Sequence, residues 1–295
     1  MMTRRQLLFA GSGALLQAQG RSQPELGVEA YIFQQYASRQ HKKLREVLPE
    51  TISMVRQSGF RNIELNSEFL EPELKDDTLR LIRENRLRMP SVYNGGTMHL
   101  PQVALQTIEK TLSIGKICRP FGCRAVVFNA NPKGKDLEKT DAELEVQAAS
   151  LNQLGQILSR NGFQLRVHNH TPEMRNGARE WRNMLRHTDP KYVSFCLDLD
   201  WVWQGGQDPF ALLREAGERV TEIHVRSARD KLWLESFQTG DIDYRRVADY
   251  FRSVHKWPYI VVELAYRDET IVSRPLGEDL RLSHFYAQKV FGLGE

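Results

Sequence analysis

Three polar residues stand late in three apolar runs of this chain: Asp198 in YVSFCLDL, His224 in VTEIHV and Glu263 in YIVVEL. Carboxylates and imidazoles together suit one divalent ion of the Mn, Co, Zn, Fe or Mg type, whereas a thiolate site would need cysteines in paired spacing. Cys118, Cys123 and Cys196 lack that spacing and are expected as buried small hydrophobes. A fourth ligand can come from the segment VHNHTPE, where His168 and His170 share one face by the two-residue strand period and Glu173 lies three residues beyond. Any one of these residues alone would ordinarily be a hydrogen-bonded structural group. Four such positions in consecutive units turn the balance toward a metal cup that polarises a carbonyl and eases removal of the neighbouring C–H proton.

A cup of this kind needs strands that end side by side. From Gly27 onward, short β-branched or aromatic runs alternate with stretches of helical period. Eight runs qualify as strands: VEAYIF from Val28, NIEL from Asn62, RMPSVY from Arg88, RAVVFN from Arg124, FQLRVHNH from Phe163, and the three runs above, from Tyr192, Val220 and Tyr259. The clearest helix spans about Asp141 to Arg160, with Leu144, Ala148, Leu151, Leu154 and Leu158 at three- and four-residue spacing. Gly59, Gly122 and Gly162 each precede a strand, where a left-handed residue closing the previous helix belongs. The pattern predicts an α/β fold of the (β/α)8 TIM-barrel type, with an open doubly wound sheet as the alternative. No G-x-G-x-x-G follows the first strand, so a dinucleotide-binding sheet has no support.

A barrel gathers its chemistry at the C-terminal ends of its strands. There the sequence offers Glu64 and Asn66, Tyr93 and Asn94, Asn129, the His168–His170 triplet, Asp198 and Asp200, His224 and Arg226, and Glu263. His41, His187, His255 and His284 fall on helices or surface loops and are expected in solvent.

The chain has 295 residues, with 41 Lys+Arg against 37 Asp+Glu and a net charge of +4 spread evenly. A nucleic-acid surface would cluster its basic residues on one face, and that signature is missing. No apolar run reaches the roughly 18 residues of a membrane span. Residues 1–20, with Arg4-Arg5 before the weakly apolar FAGSGALL, resemble a twin-arginine export signal, which predicts an exported or periplasmic enzyme, the alternative being a cytoplasmic one with a basic N-terminus.

The segments VHNHTPE, CLDLDWVWQGGQDP, EIHVRS and IVVELA resemble, in order and spacing, the rim motifs of the xylose isomerase-like TIM-barrel superfamily, closest to its sugar phosphate isomerase/epimerase type. The resemblance covers about residues 27–291, and residues 21–295 are expected to form one barrel domain. It implies one divalent metal held by an acidic residue of the fifth-strand region, Asp198, His224 and Glu263. Many members carry Glu at the fifth strand end where this chain has His168, so either His168 or Glu173 is the ligand. Glu173 is favoured, because three carboxylates and one His keep the hard-oxygen shell usual in the superfamily. Arg226 replaces the usual Lys two residues after the metal-binding His, and Ser227 the Asp after it.

The implied activity is that of a metal-dependent isomerase or epimerase removing a proton next to the carbonyl of a neutral sugar or keto-sugar. Elimination from a keto-glycoside by a lyase or dehydratase is the alternative, and a non-catalytic carbohydrate-binding protein a third reading. His170 is the preferred acid/base, because its ordinary pKa lies near neutrality, with Glu263 and Glu64 as candidate catalytic carboxylates. His168, Asn129, Tyr93, Arg226 and Trp201 are the candidate substrate contacts. No glycine-rich phosphate cradle follows the seventh or eighth strand, which points to an unphosphorylated carbohydrate.

Overall fold

The computed structural model describes residues 24–293. The Arg4-Arg5 segment and the expected export signal lie outside the described residues.

Eight parallel strands close into a barrel: Glu25–Glu29, Ile63–Asn66, Ser91–Gly96, Ala125–Ala130, Gln164–Val167, Val193–Asp198, Val220–Val225 and Tyr259–Val262. They are called here the first to eighth strands. Each pairs with its neighbour in sequence, and the first pairs with the eighth, with Val28 beside Val262. Helices cover the outside, so most strands are buried on both faces. The fourth and sixth, AVVFNA and VSFCLD, contain no exposed residue.

The helix Asp141–Arg160 shows how local chemistry sets the boundaries. Thr140 and Glu143 form a reciprocal capping box, with Thr140 N–H donating to Glu143 Oε2 at 2.7 Å and Glu143 N–H donating to Thr140 Oγ1 at 3.3 Å. Its buried stripe runs through Leu144, Ala148, Leu151, Leu154 and Leu158. At Gly155 an added Cβ would stand 2.6 Å from the Tyr192 carbonyl oxygen, so only glycine lets this helix lie so close to the chain entering the sixth strand. Gly162 (φ +76°) then turns the chain into the fifth strand.

The first strand departs from expectation. Tyr31, Ile32 and Phe33 are not strand residues but open the helix Tyr31–Arg39, where Ile32, Phe33 and Ala37 face the core. A short apolar run fits either element, and here the strand is the preceding ELGVE. His284 also departs: it is half-buried, edge-on to Phe60 at 4.8 Å, in the space above Gly59. His41, His187 and His255 are exposed, and all three cysteines are buried. No described helix is long and apolar enough to cross a membrane.

Candidate metal centre and sugar pocket

The sixth, seventh and eighth strands bring Asp198, His224 and Glu263 together, and the chain leaving the fifth adds His168. One ligand atom from each of these four buried residues lies within 4.8 Å of the others. His168 is carried by backbone pairing, its N–H donating to the Phe128 carbonyl at 2.9 Å. Asn169 clamps the same turn to the sixth strand, its side chain donating to Asp198 O at 3.1 Å and accepting from Asp198 N–H at 3.0 Å. That Asn is therefore spent on positioning. Asp198 also caps the next helical turn, accepting the Trp201 N–H at 2.9 Å through Oδ1, which leaves Oδ2 facing the cup.

The donor set fits a divalent ion. His168 has no hydrogen-bond partner on either ring nitrogen although both are buried, and its Nε2 points at Asp198 Oδ2 (3.8 Å) and Glu263 Oε2 (3.9 Å). First-row ions hold N and O ligands at roughly 2.0–2.2 Å, which sets the ligands themselves about 3–4 Å apart. His224 Nδ1 faces Glu263 Oε2 at 2.7 Å, completing the ring of donors.

Glu173 stands elsewhere. Its Oε2 accepts the backbone N–H of His170 at 2.8 Å, and its Oε1 accepts the Asn129 side chain at 3.3 Å. Glu173, expected as the fourth donor, thus stands outside the four-residue cluster, and His168 stands inside it. The T-P-E that follows His170 begins the helix Thr171–His187, and a Glu three residues into a helix reaches back to its own cap. Burial, and next the charge of Glu180, push its carboxyl up to about 7.

Arg226 is not a free substrate contact. It is buried, and its Nη2 bridges Asp198 Oδ2 at 2.6 Å and Glu263 Oε1 at 2.5 Å, while its guanidinium lies over Trp233 at 4.7 Å from the ring centroid. Burial alone would raise the Asp198 and Glu263 carboxyls. Arg226 outweighs it and holds both below the ordinary carboxylate range, so the cup keeps two charged oxygen donors. Asp200 accepts the Trp233 indole N–H at 2.7 Å, which ties the hairpin Ala228–Trp233 to the rim.

Glu64 lies one layer below. It is fully buried, hydrogen-bonded to Ser91 Oγ, and stands 3.0 Å from His224 Nε2. Burial and then Glu222 push it up to about 7. It does not line the rim cavity. Asn129 likewise serves His168 O and Glu173 rather than the cavity.

Beside the cup opens a cavity of about 280 Å³ whose wall includes Glu29, Asn66, Tyr93, His170, Trp201 and Glu263. Of the four cup residues, Glu263 alone appears in that wall. His170 stands edge-on to Trp201 at 5.2 Å and to His168 at 4.9 Å. Burial, and next His168, push its imidazole down to about 3, so the near-neutral pKa that first recommended it does not survive folding. At pH 7 it is a neutral ring and a weaker base than an ordinary histidine. Glu29 escaped the sequence reading because the first strand was framed three residues late, which moved its end past Glu29. Burial, and then Glu263 and Glu64, hold that carboxyl well above its ordinary range.

Comparison with known proteins agrees with the barrel fold. A curated inosose dehydratase of Mesomycoplasma hyopneumoniae is 25% identical over 209 residues, covering 66% of this chain and 67% of its own length. A second strain's inosose dehydratase is matched over 61% of its length, so the chain spans about three fifths to two thirds of these relatives. Among solved structures, a sugar phosphate isomerase/epimerase from Parabacteroides distasonis superposes with a TM-score of 0.71 at 17% identity, covering 92% of this chain and 96% of that one. A 3-keto-D-glucoside 4-epimerase from E. coli gives 0.68 at 16% identity, covering 90% of this chain and 100% of that one. Residues 52–282 match the family described as xylose isomerase-like TIM barrel, and the chain belongs to that family.

Proposed function

We propose that this protein is a metal-dependent isomerase or epimerase that removes a proton next to the carbonyl of a neutral sugar or keto-sugar. The observation that carries the reading is Glu263, which belongs both to the four-donor cup and to the wall of a sugar-sized cavity. A divalent ion in the cup would polarise adjacent substrate oxygens and acidify the neighbouring C–H bond. Two imidazoles and two carboxylates suit Zn, Fe, Co or Mn better than Mg, which prefers all-oxygen shells.

The chain's own residues do the rest. Trp201 and Tyr93 give the cavity apolar walls for the sugar ring, and His170 lines the same cavity as the group placed to accept the proton. Arg226 keeps Glu263 and Asp198 ionised. The cavity wall contains three carboxyl groups, Glu29, Glu68 and Glu263, and neither Lys nor Arg, which opposes a phosphorylated substrate. Export of the folded enzyme, read from Arg4-Arg5, points the same way, and sequencing the mature N-terminus from the native host tests it.

Elimination is the second reading, favoured by the relatives that are inosose dehydratases. Incubating the metal-loaded protein in D2O with an inosose, a ketohexose and a 3-keto-D-glucoside, read by NMR, separates them. Deuterium at one carbon with every carbon-bound oxygen retained means isomerisation or epimerisation, and loss of water or an aglycone means elimination. Binding of a sugar without exchange on any substrate would replace both with a carbohydrate-binding protein.

A further inference from the structure

A proton removed from carbon must be matched by one delivered, either to carbon on the other face or to a departing oxygen. The order of strands around the barrel places the first diametrically across the mouth from the fifth. Glu29 ends the first strand and His170 follows the fifth, so the two face one cavity from opposite sides. The first strand is also hydrogen-bonded to the eighth, with Val28 beside Val262, which sets Glu29 next in register to Glu263.

Glu29 is 2% exposed, and that small exposure is to the cavity. Its Oε2 accepts the Tyr31 backbone N–H at 2.8 Å, which fixes the plane of the carboxyl group. Among the described residues no donor meets its other oxygen. The side chain is outside the metal cup. A carboxyl group so held, with one oxygen anchored and one turned to the substrate space, has a use beyond capping a helix.

We infer that Glu29 is a catalytic residue, the acid that delivers the second proton from the first-strand side. This rests on the proton-abstraction reading above. The C–H proton goes to the base on the opposite wall, and the electron pair of that bond moves onto the carbonyl oxygen. In epimerisation the pair returns to carbon, which takes the Glu29 proton on its other face. In elimination the pair forms the new double bond, the β C–O bond breaks, and the departing oxygen takes the Glu29 proton and leaves as water or as the aglycone alcohol. As product leaves, the base gives its proton to solvent and the Glu29 carboxylate regains one from solvent, so the protein returns to its starting state and no oxidant or reductant enters.

The test compares wild type, Glu29→Gln and Glu29→Asp, each loaded with Mn, on the same three substrates in D2O. Gln keeps an acceptor for Tyr31 N–H but carries no transferable proton. Product formation is expected to fall about 10²–10⁴-fold in Glu29→Gln, while α-deuterium exchange into recovered substrate persists. Glu29→Asp, which retracts the acid by one methylene, should restore part of the product rate, and it carries the test if the Gln variant does not fold. Loss of exchange and product together, or loss of neither, in variants with native circular dichroism and metal content overturns the assignment. Wild type that shows no exchange overturns the proton-abstraction reading itself, and the role of Glu29 with it.

Discussion

The cup at the barrel mouth and the polar layer beneath it are built from the same side-chain types and meet at His224, whose Nδ1 faces Glu263 at 2.7 Å and whose Nε2 faces Glu64 at 3.0 Å. Below, Ser91 Oγ links Glu64 to Glu222 Oε1 at 3.2 Å, and Arg166 Nη1 closes on Glu222 Oε2 at 2.5 Å. Above, Arg226 plays the part of Arg166, bridging two carboxylates, yet His168 keeps both nitrogens without a partner and Glu263 opens on a cavity. Among the described residues the lower carboxylates face Ser91, His224 and Arg166, and neither lines the rim cavity. Chemistry therefore depends less on residue type than on an unclaimed lone pair beside room for a ligand, and the lower layer serves the barrel's stability and the aim of His224.

Mutations can break this contrast. Asp198→Ala should act most strongly, removing a cup donor and leaving the buried Arg226 guanidinium half paired. The expected loss is most of the metal affinity by calorimetry and about 3–5 kcal/mol of stability by denaturant unfolding. Full metal occupancy in that variant would take Asp198 out of the cup. Glu222→Ala should cost roughly 3 kcal/mol by stranding Arg166, yet shift metal affinity by no more than about tenfold, as a change outside the ligand shell does. A larger loss of metal would merge the two layers into one functional unit.

The next pair sharpens the upper site. His168→Ala should release metal, and its cost to the metal-free protein comes from lost packing against Tyr93, His170 and His224, because neither ring nitrogen is bonded to protein. Glu173→Ala should do the reverse, keeping metal and losing about 0.5–2 kcal/mol as a helix cap is removed. Metal retained in both variants would return the fourth position to water or another side chain.

The smallest effect is in the pH dependence of the metal-free protein. His170 has its folded pKa pushed down to about 3 by burial and His168, below its unfolded value, so the unfolded chain binds the extra proton and stability falls as pH drops from the unfolded histidine range toward 3. Glu222 is also pushed down, to about 2: burial opposes this, and Arg166 outweighs it. Its contribution is present above the unfolded glutamate pKa and is lost as pH falls toward 2. His170→Gln should therefore flatten stability above about pH 4.5, where Glu222 is mostly ionised in both states, and Glu222→Gln below about pH 3, where His170 is mostly protonated in both states. Unfolding free energies across pH 2–8 in each variant check the assignment, and a change in both windows from either variant would contradict it.

Periodicity made the barrel legible. Asp198, His224 and Glu263 could be read from the sequence because each stands late in a long buried run, where the alternation of a strand and the closure of the barrel leave its direction little freedom. His168, Glu173 and Glu29 could not be resolved that way, since each sits where a strand hands over to a helix. At that boundary a shift of a few residues decides whether a side chain enters the site or caps a backbone N–H. Glu173 went to a cap, His168 to the cup, and Glu29 to both uses, one oxygen each. Arg226 shows the remaining limit: its charge was visible in EIHVRS, but only the meeting of the sixth, seventh and eighth strands gave it two carboxylates to bridge. Strand direction is encoded locally, by neighbours two residues apart, whereas the partner of a buried charge is chosen by whatever distant segment folding sets against it.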